Sequence, residues 1–137
     1  MSMVGNKATP ILAIPTGSVT DAMLATTTFA KTNATQTFTT PQRGTVTTDN
    51  DLSFDLSVTN FFVCTPTAGG ALTFTNIPTG QGGTIKFVNG SNYAITAAAN
   101  TKVTSTFLAT ISATGTYVVN YFSDGTNVHC STAGASA

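Results

Sequence analysis

Glutamate is absent from this 137-residue chain, and charge of either sign is scarce. Five lysines and arginines balance five acids, all aspartate (Asp21, Asp49, Asp51, Asp55, Asp124), so the formal net charge is zero. Charged residues make up 7% of the chain, against roughly 25% in an ordinary soluble domain. That poverty excludes an electrostatic footprint for nucleic acid or an acidic membrane surface. It also excludes long solvated helices, whose exposed faces are built from glutamate, lysine and arginine. Histidine and cysteine are scarce too: His129, Cys64 and Cys130 are the complete set, too few for the four ligands of a structural zinc site. Apolar runs are short. Ile11 to Ile14 lies between Pro10 and Pro15, below the ~7–15 residues of a secretory core segment, and nothing approaches the ~18 of a membrane span. Without a secretion signal, the two cysteines are expected as reduced, buried thiols.

Threonine fills the space that charge leaves, with 30 of 137 residues. Together with valine and phenylalanine it suits the pleated, half-buried surface of a strand. Organisation changes near residue 43. Residues 1–43 hold a proline-marked apolar stretch, extended around its prolines. A helix start follows at Ser18 or Thr20, ahead of Asp21-Ala22-Met23-Leu24-Ala25. Thr26, Thr27 and Thr28 limit that helix to two turns. Neither piece can bury itself alone, so residues 1–43 are expected to form an anchoring arm. Its candidate anchoring residues are Ile11, Leu12, Ile14, Met23 and Leu24.

From residue 44 to 137 the period is two. Leu52, Phe54, Leu56 and Val58 alternate with polar neighbours, which places the even positions inward. Strands are expected around Phe61 to Cys64, Leu72 to Phe74, Thr84 to Val88, Tyr93 to Ile95, and through Phe107, Ala109 and Ile111. Asn89-Gly90 signals a hairpin. Gly69-Gly70 and Gly82-Gly83 read as turns, since no helix or Gly-Lys-Ser/Thr follows either pair. Thr116 to Phe122, the Ser123-Asp124-Gly125 turn and Asn127 to Ser131 form the clearest strand pair. About eight short strands predict an all-β fold, a single antiparallel β-sandwich of jelly-roll type behind the arm.

No constellation in the chain points to catalysis. Asp49, Asp51 and Asp55 lack the glycine and distal glutamate of a calcium loop and are expected on the solvent face of the first strand. His129 with Asp124 as its orienting partner has the outline of a general base. No G-x-S-x-G elbow accompanies it, and strand parity makes His129 a surface residue opposite Val128 and Cys130. Tyr93, Tyr117 and Tyr121 are either a sugar-stacking surface or core. The chain is therefore expected to be no enzyme and to need neither cofactor nor metal. Near-zero charge favours association.

Two stretches carry a resemblance. Gln36-Thr37-Phe38-Thr39-Thr40-Pro41-Gln42-Arg43-Gly44-Thr45-Val46, running on to Asp55-Leu56-Ser57 and Asn60-Phe61, is similar to a segment recurring in tailed-bacteriophage fibre and virion proteins. Gly115-Thr116-Tyr117 and Tyr121-Phe122-Ser123-Asp124-Gly125-Thr126-Asn127-Val128 resemble the closing hairpin of the same modules, particularly those of marine phages. Thr20 to Ala25 is similar to the linker preceding them. The resemblance implies a homotrimeric β-sandwich standing on a virion assembled in the host cytoplasm. A capsid-decorating or short head-fibre protein, bound through its arm to the major capsid protein or tail components, is the leading expectation. A receptor-binding tail-fibre tip, with a host surface glycan as partner, is the alternative, and a carbohydrate-active enzyme the third. Neither nucleic acid nor membrane is an expected partner.

Overall fold

The computed structural model describes Pro41 and residues 43–136. The expected arm and its candidate anchoring residues Ile11, Leu12, Ile14, Met23 and Leu24 lie outside the described residues. Gln42–Ala137 groups as one unit by its internal contacts, and that unit is described by itself.

Nine strands and one helix follow in order: β1 (Val46–Thr48), β2 (Ser53–Asp55), β3 (Phe61–Cys64), β4 (Gly70–Thr75), β5 (Thr79–Asn89), β6 (Ile95–Ala97), β7 (Thr101–Lys102), α1 (Ser105–Ser112), β8 (Gly115–Asp124) and β9 (Val128–Ser136). The fold is β-rich, as the threonine-rich alternation predicts. A six-stranded sheet has the order β1-β3-β5-β8-β9-β7, and a three-stranded sheet has the order β2-β4-β6. The first six strands alternate between the two sheets. Each of β3 to β6 lies parallel to the strand two places before it, with Val46 beside Phe61, Phe61 beside Thr84, Phe54 beside Phe74 and Gly70 beside Ile95. The chain thus winds as a short solenoid of three coils, each coil contributing one strand to each sheet.

Antiparallel pairing, expected throughout, is confined to β5-β8 and β8-β9; the other five pairings are parallel. The physical reason is in the connections. Parallel neighbours need a crossover, and here the intervening strand of the opposite sheet supplies it.

The core lies between the sheets. Phe54 of the small sheet meets Phe62 of the large one edge-on at 5.1 Å and Phe74 at 5.6 Å, and Phe74 reaches Tyr121 at 5.7 Å. Leu56, Leu72, Ile85, Phe87, Tyr117, Val119 and Val128 complete the packing. Leu52, Phe54 and Leu56 are inward as the alternation predicts, but Val58 is 57% exposed. The strand ends at Asp55 and the chain turns before Val58 is reached.

Corners between sheets are closed by short polar side chains, which offer the backbone a local acceptor. Asp51 accepts from the Ser53 N–H at 2.8 Å, Asp55 from the Ser57 N–H at 2.9 Å, and Asn50 from the Thr65 N–H of the next coil at 2.7 Å. Leu52 takes φ 70° at the first of these corners, a region that a leucine rarely occupies, and its burial in the core holds it there.

The Asn89-Gly90 pair makes no hairpin: β5 ends there and the chain crosses to β6 in the other sheet. Asn89 is fully buried, and its amide donates to the carbonyls of Tyr93 (2.9 Å), Ile111 (3.0 Å) and Ser112 (3.2 Å). Its Oδ1 accepts from the Tyr93 N–H at 2.9 Å. The expected strand through Phe107 and Ile111 is helix α1, with Thr104 accepting from the Phe107 N–H as its cap. Phe107 and Ile111 are buried four residues apart on one helical face. Gly82 and Gly83 lie inside β5 rather than in a turn. A side chain at Gly83 would collide with the Asn60 carbonyl and the Tyr121 ring. The β8–β9 hairpin is as expected and closes the solenoid at the β5 end.

Replacing Asn89 by alanine strips three carbonyls, the Ile111 carbonyl fully buried, and the N–H groups of Ser91 and Tyr93 of their partner, at about 1–3 kcal/mol for each buried group left unpaired. The urea midpoint of Asn89→Ala should fall well below that of the parent at unchanged slope. An unchanged midpoint would refute the role given to Asn89.

Candidate functional site

Each polar cluster singled out in the sequence has a structural task in the folded unit. Asp49 and Asp51 sit at a coil corner rather than along a strand face, whereas Asp55 ends β2 on its outward side, between the inward Phe54 and Leu56, as expected. Burial raises the Asp49 carboxyl above its ordinary range, with Asp51 adding to the shift, whereas the Ser57 hydroxyl and the Asn76 amide hold Asp55 below it. His129 is exposed on β9 as parity predicts, and its Nε2 lies 3.2 Å from Asp124 Oδ2. Asp124 is held low chiefly by the backbone N–H groups of Asn127 and Thr126 at the hairpin turn, with His129 next. The pair therefore ties the turn to the strand that follows it. Tyr117 and Tyr121 are core, and Tyr93 is half-buried against the core cluster, so the three tyrosines form no stacking surface. Among the described residues no three histidine, cysteine or acidic side chains converge as a metal site, and no helix is long and apolar enough to cross a membrane.

Cys64 and Cys130 are unpaired. Burial pushes both thiols up to about 12.

What the sheet registers assemble on the outside is a surface. Alternation along each strand of the large sheet sends one row to the core and the next outward. One outward row reads Val46, Phe61, Thr84, Asn120, Ser131; the next reads Thr48, Val63, Lys86, Val118. On the other side of the first row lie Gly82, Phe122, His129 and Lys102. Val118 and Phe122 are 46% and 53% exposed on the same strand and flank Asn120, whose side-chain Oδ1 accepts from the Thr84 hydroxyl at 3.2 Å. Lys86 is the one charged side chain in the middle rows, and Lys102 and His129 lie at the rim. Sequence reasoning missed this surface: the alternation marks Val118 and Phe122 as out of phase with Tyr117, Val119 and Tyr121, which is the signal that could have located it. A separate open cleft of about 380 Å³ lies beside the first coil, bordered by Thr45, Val58, Thr59, Asn60, Phe61 and Gln81.

Compared with protein-family models, curated proteins and solved structures, the chain finds no match.

The buried thiols set an expectation for alkaline pH. Their folded-state values stand above the ordinary 9.0 of a free thiol, so the unfolded chain ionises first. Stability is then fully present below pH 9 and lost as pH rises towards 12; burial of Tyr121 acts in the same direction. The urea midpoint should decline from about pH 8 to about pH 11, less steeply in a Cys64→Ala variant. A flat or rising profile would contradict the burial of these groups.

Proposed function

We propose that this chain is a structural protein of a tailed-phage virion: a capsid-decorating or short head-fibre subunit that assembles as a homotrimer. Two kinds of support bear on it. The first is the resemblance carried by the segments at residues 36–61 and 115–128. The second, which carries the assembly part of the reading, is the open face of the six-stranded sheet around Val118 and Phe122.

A solvated surface ordinarily carries interspersed charge on roughly a quarter to a third of its residues. Here the middle rows carry Lys86 alone among threonine, serine, asparagine and apolar side chains. With zero net charge there is no long-range repulsion to hold copies apart. Val118 and Phe122 are each about half exposed, so covering them contributes on the order of 1 kcal/mol apiece, added to the threonine methyls around them. A surface of this kind suits a contact between copies, where broad packing and hydroxyl hydrogen bonds take the place of ion pairs. Two facing sheets presenting such a face serve the reading whether or not the strands follow jelly-roll connectivity. Tail-fibre location is the second reading, and copy number separates it from the first: hundreds of copies on the head mark decoration, tens on the tail mark an adhesin.

Light scattering of the full chain at micromolar concentration should give three times 14.0 kDa. The double variant Val118→Asp/Phe122→Asp changes only exposed side chains and should scatter as a folded monomer with an unchanged far-ultraviolet signal. A parent that is monomeric, or a double variant that remains trimeric, would remove β8 from the assembly surface.

A further inference from the structure

We propose that the cleft beside the first coil binds an uncharged sugar residue, with the Phe61 ring as its apolar wall. This goes beyond the assembly reading and rests on other groups: Phe61 shares an outward row with Asn120, but the cleft is bordered by the chain at residues 44–45 and 56–61 and by Gln81, none of them on β8.

The cleft is built by three separate pieces of chain. Gly44 and Thr45 approach β1 on one side, the corner at residues 56–61 forms another, and Gln81 closes the third from β5. Its walls are fixed. The Gln81 Nε2 donates to the Leu56 carbonyl at 2.9 Å and to Asn60 Oδ1 at 2.6 Å. The Thr59 hydroxyl donates to the Thr45 carbonyl and accepts from the Phe61 N–H. Glycine at position 44 lets the backbone lie directly against the Phe61 ring, where a side chain would overlap it. The ring nonetheless stays 40% exposed.

Those bonds leave a particular set of groups unused. Gln81 Oε1, Asn60 Nδ2 and the Thr45 hydroxyl meet no hydrogen-bond partner among the described residues. They offer an acceptor, a donor and a group that serves as either, next to an exposed aromatic ring. A pyranose has the matching chemistry: an apolar face of C–H groups for the ring, and hydroxyls around its rim that both donate and accept. None of the bordering residues carries a charge, so an anionic sugar or phosphate would find no cation there, and desolvating it would be unfavourable. At about 380 Å³ the cleft stands near the small end of the roughly 300–1,000 Å³ range of ligand sites. That suits one or two sugar rings. A single exposed ring with a few hydrogen bonds implies weak binding, in the millimolar range.

The test uses the uniformly labelled full chain and its amide spectrum. Glucose, galactose, mannose, N-acetylglucosamine and sialic acid are titrated separately at tens of millimolar. At least one of the neutral sugars should shift the amides of Thr45, Asn60, Phe61 and Gln81, with sialic acid causing no comparable change. Phe61→Ala should lower that affinity at least tenfold while leaving amides of the β8–β9 hairpin in place. Asn60→Asp, which replaces the free donor by a carboxylate, should lower it independently, so the proposal can be judged if either variant misfolds. No shift at those amides with any of the neutral sugars would overturn the proposal. So would shifts that survive both substitutions, or stronger binding of sialic acid.

Discussion

Everything in this fold depends on the chain changing sheets every few residues without leaving its backbone unpaired. A coil of two short strands buries little by itself, and β1 and β2 are only three residues each. Their hydrogen bonds and apolar contacts come from the coil stacked beside them, so the corner geometry that sets the stacking distance is decisive. Asn50 illustrates the arrangement. Its side chain sits in the first coil and accepts from the backbone of Thr65 in the second, fixing the corner and the spacing with one bond. Asn89 does the same at the third coil, where its amide joins the end of β5, the crossing to β6 and the end of α1. Short side chains serve here because their oxygens reach a backbone N–H only a few atoms away: aspartate at the exposed corner (Asp51) and an uncharged amide where the corner is buried (Asn89).

Stacking in this way divides the side chains cleanly. Inward rows supply an aromatic contact that runs from Phe62 through Phe54 and Phe74 to Tyr121, joining both sheets and the closing hairpin. Outward rows carry fewer folding tasks, a cross-strand bond such as Thr84 to Asn120 among them. On most of the solenoid their occupant is threonine, which satisfies strand propensity and hydration together. At Val118 and Phe122 it is apolar. Beside the first coil it is an aromatic ring bordered by uncommitted amide and hydroxyl groups. The two surfaces differ chemically and adjoin through the outward row that joins Phe61 to Asn120.

Much of the inward pattern was legible in the sequence. Leu52, Phe54 and Leu56 and the hairpin turn at Ser123-Asp124-Gly125 follow from period-two alternation and turn chemistry, and the shared parity of Tyr117 and Tyr121 with Val119 held their burial as one of two readings. Pairing direction was not legible, because a strand half-buried between two sheets alternates identically whether its neighbour runs parallel or antiparallel. The repeat was hidden as well: Val46 partners Phe61, but Phe61 partners Thr84, so the coils are unequal and leave no fixed period. Asn89-Gly90 misled because the same pair that favors a tight turn also suits a buried corner amide. Phe107 and Ile111 fit both a strand and a two-turn helix, and the Thr104 cap with the burial of both residues against the sheets decided for the helix. The sugar cleft had no sequence signal, since Thr45, Asn60 and Gln81 meet only after the coils stack.

Side-chain oxidation by hydroxyl radicals, read residue by residue in the isolated monomeric chain and in the assembled form, tests most directly whether the β8 face joins copies. Assembly should protect Phe122 and Val118 several-fold, leaving Val58, in the corner after β2 and outside the large sheet, as reactive as before. Equal labelling of Phe122 and Val118 in both states would contradict that face as the interface between copies.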